Sequence, residues 1–233
     1  MDTPLIPCLK PVAGTDGESR VRKLRMIGKL SRPLLLLLLA ASLVDTAGAD
    51  GNATRPTQAP EMALKTATDQ LCGLIKDHRA EYKASSGNFY SAIGQVVVPH
   101  FDMPEIAALV LAANYRSATP EQRTRFAKAF EDMLVRTYAS AMLDNCNPAG
   151  IHWMPPRLPA NATDAAVNAS LARDNGEAFI IGFRVHLVDG EWKIYDVAVE
   201  NVSLVLNFRT QINSEIRRSS LDGVIAQMER GRL

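Results

Sequence analysis

Apolar and polar residues alternate along two neighbouring stretches in the last third of the chain, 177–188 and 192–199. A period of two is typical of β-strands, whose successive side chains point to opposite faces of a sheet. Between the stretches lies Asp189-Gly190, a dipeptide that favours a two-residue hairpin turn. The pattern therefore predicts a β-hairpin. The spacing then becomes helical as far as Gln211, so the second strand is expected to turn directly into an amphipathic helix.

A two-residue turn also fixes which residues of the hairpin lie opposite each other. It places Val185 opposite Ile194, and in an uninterrupted ladder it places Phe183 opposite Asp196. Side chains of one parity then form one face, which consists of Phe179, Ile181, Phe183, Val185, Leu187, Trp192, Ile194 and Ala198. We expect this broad apolar wall to line a pocket for an apolar ligand.

Asp196 is the polar exception on the predicted wall. A buried carboxylate needs hydrogen-bond or ionic partners. It could accept hydrogen bonds from backbone amides at the start of the next helix, or pair with Arg209. It could instead be a general base with a raised pKa. The structural role is the favoured interpretation.

Helical spacing predicts further helices on both sides of the hairpin. The first covers 61–83, and others start at Asp102-Met103-Pro104-Glu105 and Thr119-Pro120-Glu121-Gln122. Both tetrapeptides combine an N-cap residue with proline in the first turn. Residues 106–115 are nearly all apolar, which predicts a helix buried around most of its surface. A cap at Asn201 or Ser203 starts the helix after the hairpin, and a short last helix follows Ser220.

The helix after Thr119 carries an apolar stripe at intervals of about four residues. The stripe consists of Phe126, Phe130, Leu134, Tyr138 and Ala141. A stripe of this kind fits either a packed core or the wall of a ligand pocket.

Other segments complete an α+β pattern. Ala165–Ala172 alternates like a strand, and Ile151, Trp153 and Met154 fit an edge strand in a proline-rich region. Residues 95–98 fit either a short strand or the end of a helix.

The amino terminus has the features of a secretory signal peptide. Lys29 and Arg32 precede an apolar run that starts at Leu34, and Ala47-Gly48-Ala49 follows as a cleavage site. The run is shorter than the roughly 20 residues that span a bilayer. We expect residues 1–49 to be removed, with Met26 as a candidate true start. Residues 50–60 are then a flexible mature terminus and 61–233 a single domain.

Charge, cysteine and motif content narrow the function classes. The net charge of +1 argues against a nucleic-acid surface. Cys72 and Cys146 remain after signal removal, either bridged or as two core thiols. No metal site is expected, because neither cysteine has a CxxC partner or a nearby histidine at ligand spacing. No nucleophile-elbow, metalloprotease, P-loop or dinucleotide motif occurs, so a binding role without a cofactor outranks an enzyme role.

Three segments together resemble the MlaC-type family. They are VVVPHFDMPEIAALVL at 96–111, NYRSATPEQRTRFAKAFEDMLVRTYASAM at 114–142 and GEWKIYDVAVENVSLVLNFRTQI at 190–212. This family comprises periplasmic lipid-binding components of an ABC transport system for intermembrane phospholipid traffic, also known from toluene tolerance. The resemblance extends from about Ala63 to Met228.

The resemblance implies an α+β fold in which helices pack on a curved antiparallel sheet, NTF2-like in outline, around a deep apolar cavity. A periplasmic monomer would carry phospholipid acyl chains there, with the headgroup in water. It would exchange lipid with an inner-membrane ABC transporter complex and an outer-membrane lipoprotein complex. The expected lipid-binding residues are Val98, Phe101, Ile106, Leu109, Val110, Phe126, Phe130, Leu134, Tyr138, Ile181, Phe183, Val185, Ile194, Val199, Leu204 and Phe208.

Two alternatives fit the same residues. One is a carrier of another apolar lipid, such as a hopanoid. The other is an enzyme on an NTF2-like scaffold, with Asp196 as base and Tyr138 or Tyr195 as hydrogen-bond donor.

Overall fold

The computed structural model describes residues 58–159, 161–172 and 178–233. These residues form seven α-helices, two short 3-10 helices and five β-strands. The helices are α1 (Pro60–Ala84), α2 (Ser86–Val96), α3 (Met103–Leu111), α4 (Ala113–Ser117), α5 (Pro120–Asn145), α6 (Leu204–Arg218) and α7 (Leu221–Glu229). The strands are β1 (Ile151–Met154), β2 (Asp164–Ala172), β3 (Ala178–Val188), β4 (Glu191–Val199) and β5 (Val202–Ser203). The expected α+β class is confirmed.

The predicted helix starts are present as hydrogen-bonded caps. Asp102 Oδ1 accepts from the Glu105 backbone N–H at 3.0 Å and so starts α3. At α5, Thr119 Oγ1 accepts from the Gln122 backbone, and Gln122 Oε1 accepts from the Thr119 backbone. These bonds satisfy amides that have no partner within the helix.

In this region one local prediction is wrong, and a choice between two alternatives is resolved. The helix expected through Tyr115 ends at Leu111, because Ala112 has a φ of 52°, which interrupts the helical backbone. A separate short helix, α4, follows. Residues 95–98 end α2 and enter a 3-10 helix, so they are a helix end and not a strand.

The predicted signal peptide, 1–49, lies outside the described residues. The segment 50–60 is described only from residue 58, and α1 already begins at its last residue, Pro60. The Gln58 carbonyl accepts from Trp192 Nε1 at 3.1 Å, which fixes the entry to α1.

All five strands pair in sequence order as one antiparallel sheet. The hairpin turn has positive φ at Asp189 and Gly190, as such a two-residue turn requires. The predicted pairing of Val185 with Ile194 is present.

Beyond that pair the predicted register is wrong. Tyr195 is an extra residue on β4, a β-bulge, so Arg184 rather than Phe183 lies opposite Asp196. Phe183 pairs with Val197 and Ile181 with Val199. Because side chains alternate, the one-residue shift exchanges the faces of all later β4 residues. Val197 and Val199 therefore replace Asp196 and Ala198 on the apolar wall.

The sheet consequently has two unlike faces. The apolar face carries Ala165, Val167, Ala169, Leu171, Phe179, Ile181, Phe183, Val185, Leu187, Trp192, Ile194, Val197 and Val199. The mixed face carries Asp164, Ala166, Asn168, Ser170, Ile180, Gly182, Arg184, His186, Lys193, Tyr195, Asp196 and Ala198.

Three buried clusters stabilise the fold. One joins α3, α5, α6 and α7, and a second packs Ala63 and Leu64 of α1 on the apolar face. The third joins α1, α2 and the end of α5. A disulfide between Cys72 and Cys146 closes the third cluster, which settles the question of bridged or free thiols in favour of the bridge.

Candidate functional site

The apolar face changes character along its length. Near the hairpin turn, Val185 and Ile194 are buried beneath the start of α1. Farther from the turn the side chains of β3 and β4 stay apolar but are only half-buried, whereas Val167 and Ala169 of β2 remain buried. We call this half-buried part the sheet wall; it consists of Phe179, Ile181, Phe183, Val197 and Val199. Trp153 of β1 extends it, with its ring 5.8 Å from that of Phe183.

The structure separates the expected lipid-binding residues into two groups. The buried group consists of Ile106, Val110, Phe126, Phe130, Val185, Ile194 and Phe208. The half-buried group consists of Val98, Phe101, Leu109, Leu134, Tyr138, Ile181, Phe183, Val199 and Leu204. Only the second group has surface that a ligand could contact without rearrangement of the core.

The aromatic stripe of α5 is divided in the same way. Phe126 and Phe130 are 0% and 1% exposed, and their rings stack at 5.6 Å. Phe208 of α6 packs edge-on against Phe130 at 5.2 Å. This end of the stripe is packed core, whereas Leu134 and Tyr138 are half-buried.

The mixed face borders a cavity of about 420 Å³ between strands β2–β4 and helices α3 and α6. Two expected residues, Leu109 and Phe183, line it. The rest of the lining is Ala166, Asn168, Gly182, Arg184, Tyr195, Asp196, Ala198, Asn201, Ser203, Val205, Leu206 and Arg209. About half of these side chains are polar, so this cavity does not have the purely apolar character that the sequence predicts.

Asp196 lies at the corner between β4 and α6. It is 7% exposed; its Oδ2 accepts from Ser203 Oγ at 2.7 Å and its Oδ1 from the Val205 backbone N–H at 3.2 Å. Ser203 Oγ also accepts from the Leu206 backbone N–H, so it is the N-cap of α6. These bonds are the contacts with the start of the next helix that the structural interpretation describes. They engage both carboxylate oxygens.

A polar cluster surrounds Tyr195 on the mixed face. The Tyr195 hydroxyl donates to Asp164 Oδ2 at 2.9 Å, and the Arg184 guanidinium lies 5.2 Å from the centre of its ring. Burial, followed by the bond to Asp164, raises the pKa of Tyr195 above its usual value, while Arg184 acts to lower it. His186 Nε2 lies 2.9 Å from Asp102 Oδ2 and connects this cluster to the cap of α3.

Sequence reasoning missed Arg184 and Arg209 as cavity residues. Without a bulge, Arg184 would lie opposite Tyr195 and not opposite Asp196. The bulge could not be predicted, because no residue type at Ile194-Tyr195 marks it. The sequence suggests Arg209 only as a partner of Asp196. In the structure its Nε donates to the Leu109 carbonyl.

Two further features are absent from the described residues. None of their helices is both long enough and apolar enough to cross a bilayer. Among these residues, no three His, Cys, Asp or Glu side chains lie together in a group that could hold a metal ion.

Comparison with known proteins adds to this geometry. The family model described as MlaC protein matches residues 65–230, most of the chain. Toluene tolerance protein ttg2D of Pseudomonas putida is 29% identical over 198 residues, which cover 84% of this chain and 87% of that protein. Intermembrane phospholipid transport system binding protein MlaC of Haemophilus influenzae is 22% identical over 173 residues, 73% of this chain and 80% of that protein.

A solved structure shares the fold. It is the phospholipid-binding protein from Ralstonia solanacearum in complex with a phospholipid, with a TM-score of 0.67 and 24% identity. The match covers 75% of this chain and 97% of that one. The family match over most of the chain confirms the resemblance found in the sequence, and this chain belongs to the MlaC family.

Proposed function

We propose that this protein is a periplasmic carrier that binds phospholipid acyl chains against the sheet wall. The observation that carries the proposal is the half-buried apolar surface of Phe179, Ile181, Phe183, Val197 and Val199 on the paired strands β3 and β4. Contiguous accessible apolar surface on a folded domain is typical of ligand grooves and contact sites. Covering it with hydrocarbon is favourable by about 0.8 kcal/mol per buried methylene.

The relatives support a phospholipid as the ligand. One is named as the binding protein of an intermembrane phospholipid transport system, and the structural neighbour was solved with a phospholipid bound. The half-buried helix residues Leu134, Tyr138 and Leu204 are additional candidates for acyl-chain contacts. In this account the protein binds and carries lipid without chemical catalysis.

A periplasmic carrier needs partners that load and unload it. We propose that the chain is secreted through its signal peptide and acts as a monomer. It would exchange lipid with an inner-membrane ABC transporter complex and an outer-membrane lipoprotein complex. Burial of two acyl chains would make spontaneous release slow, so a partner that opens the site is required.

The test is mass spectrometry of an organic extract of the purified protein. Wild-type protein should yield phospholipid in a near-stoichiometric amount. Ile181→Glu places a charge on the sheet wall and should lower this amount at least about tenfold, since a carboxylate in contact with hydrocarbon is costly. Ser170→Glu, on the mixed face of the adjacent strand, is the matched control.

The expected control result is an unchanged phospholipid content in Ser170→Glu. Wild-type protein that is empty and takes up no phospholipid from vesicles would contradict the function. Equal occupancy in Ile181→Glu and wild type would instead contradict the location.

A further inference from the structure

The cavity lies against mixed-face residues of the sheet, whereas the sheet wall lies on the apolar face, and Phe183 is the one wall residue that also lines the cavity. Its volume of about 420 Å³ lies in the lower part of the range for small-molecule pockets, roughly 300–1,000 Å³. The apolar part of its lining consists of Leu109, Ala166, Phe183, Ala198, Val205 and Leu206. Leu206 is 55% exposed, so the cavity is open to solvent at this helix.

The charges around the cavity are unequal. Arg184 and Arg209 contribute two guanidinium groups, and Asp196 contributes one carboxylate. The carboxylate is already stabilised by Ser203 and by the Val205 amide at the positive end of α6. No ion pair joins either guanidinium to a carboxylate of the described residues. The lining therefore has excess positive charge.

Contacts position both guanidinium groups at the cavity. The ring of Tyr195 lies 5.2 Å from the Arg184 guanidinium, and Asp164 fixes the Tyr195 hydroxyl. Arg209 uses its Nε on the Leu109 carbonyl at 2.6 Å, which leaves its terminal nitrogens as the donors for a ligand. Guanidinium groups bind phosphate and carboxylate through paired N–H donors.

We propose that this cavity is a second binding site, for a single-chain anionic amphiphile. Its hydrocarbon chain lies against the apolar lining, and its oxyanion headgroup, a phosphate or a carboxylate, contacts Arg184 and Arg209. This site shares Phe183 with the sheet wall, and its other lining residues lie outside that wall.

The test is calorimetric titration of the full-length mature protein with decyl phosphate below its micelle concentration. Decanoate, decanol and inorganic phosphate are titrated in parallel. Decyl phosphate should bind, and Arg184→Gln should weaken it about tenfold, the loss expected for one charged hydrogen-bonding partner. Arg217→Gln, an exposed arginine on α6 outside the cavity, should leave the affinity unchanged.

Each probe separates one part of the proposal. Weaker binding of decanol than of decyl phosphate supports the role of the headgroup, and weaker binding of inorganic phosphate supports the role of the chain. Comparable affinities for either pair would overturn the assignment. Decanoate binding close to that of decyl phosphate identifies charge as the common feature.

The Ile181→Glu variant distinguishes the two sites. It should keep its affinity for decyl phosphate even though its phospholipid content falls. Loss of decyl phosphate binding in Ile181→Glu, with unchanged binding in Arg184→Gln, would place the amphiphile on the sheet wall and overturn the second site. Neither result depends on whether phospholipid is the natural ligand.

Discussion

The two faces of the sheet use the same strands for different purposes. On the apolar face, alternate positions of β3 from Phe179 to Leu187 are apolar, β4 adds Trp192, Ile194, Val197 and Val199, and burial is lower at the end away from the turn than at Val185 and Ile194. On the mixed face, Arg184, Asp196 and Tyr195 line a small cavity, and the Arg184 guanidinium lies over the Tyr195 ring. The single bulge at Tyr195 maintains this separation, because it moves Asp196 out of the apolar face.

Loss of the disulfide should have the largest effect and should affect both faces alike. Cys72 and Cys146 are 74 residues apart, and the bridge limits the unfolded chain. Replacing both cysteines by serine should lower the free energy of unfolding by about 2–4 kcal/mol. Urea unfolding measures this change. Lipid content should be unchanged under native conditions, and its selective loss would show that the bridge shapes one face.

Neighbouring residues on opposite faces should differ strongly in their contribution to stability. Val185 is 0% exposed, so Val185→Ala should cost about 2–3 kcal/mol. Arg184→Ala, one residue earlier and exposed, should stay within about 0.5 kcal/mol of wild type. Thermal and urea unfolding of the two variants compare them directly. Similar losses would mean that both faces are equally packed.

Asp196→Asn tests whether the corner between β4 and α6 is structural. The amide retains one acceptor oxygen but loses the charge at the start of α6, so we expect a loss of about 1–2 kcal/mol. A double-mutant cycle with Ser203→Ala should show coupling between the two side chains. Unchanged stability, together with loss of a measurable chemical activity, would favour the enzyme alternative.

The smallest predicted effect is the titration of Tyr195. Its pKa is raised by burial and by the bond to Asp164. The stability linked to this group is therefore present below the ordinary value of about 10 and is lost as the pH rises through the folded value. Arg184→Gln should raise the pKa of Tyr195 further, because the guanidinium acts to lower it. Ultraviolet difference titration measures the midpoint, and a lower midpoint would contradict the contact.

Much of the fold could be predicted from local sequence signals. The caps at Asp102 and Thr119, the Asp189-Gly190 turn and the alternation along β2 and β3 each depend on neighbouring residues, and the structure confirms them. The exceptions depend on backbone conformations without a residue-type signature. These are the positive φ of Ala112 and the bulge at Tyr195.

The candidate site was less predictable. Helical spacing shows that Phe126 and Tyr138 share a face, but only tertiary packing decides that Phe126 is enclosed and Tyr138 half-buried. The cavity residues Arg184 and Arg209 come from separate elements, and the bulge brings Asp196 and Ala198 onto the face that carries Arg184.

The most direct test of the central claim uses Trp153, which extends the sheet wall and contacts Phe183. The chain has two tryptophans, so Trp192→Phe leaves Trp153 as the single indole fluorophore. This variant is loaded with phospholipid that carries bromine in its acyl chains, and fluorescence is compared with loading by the unbrominated lipid. We predict strong quenching of Trp153 by the brominated chains. Equal fluorescence at equal lipid content would contradict acyl-chain binding on the apolar face.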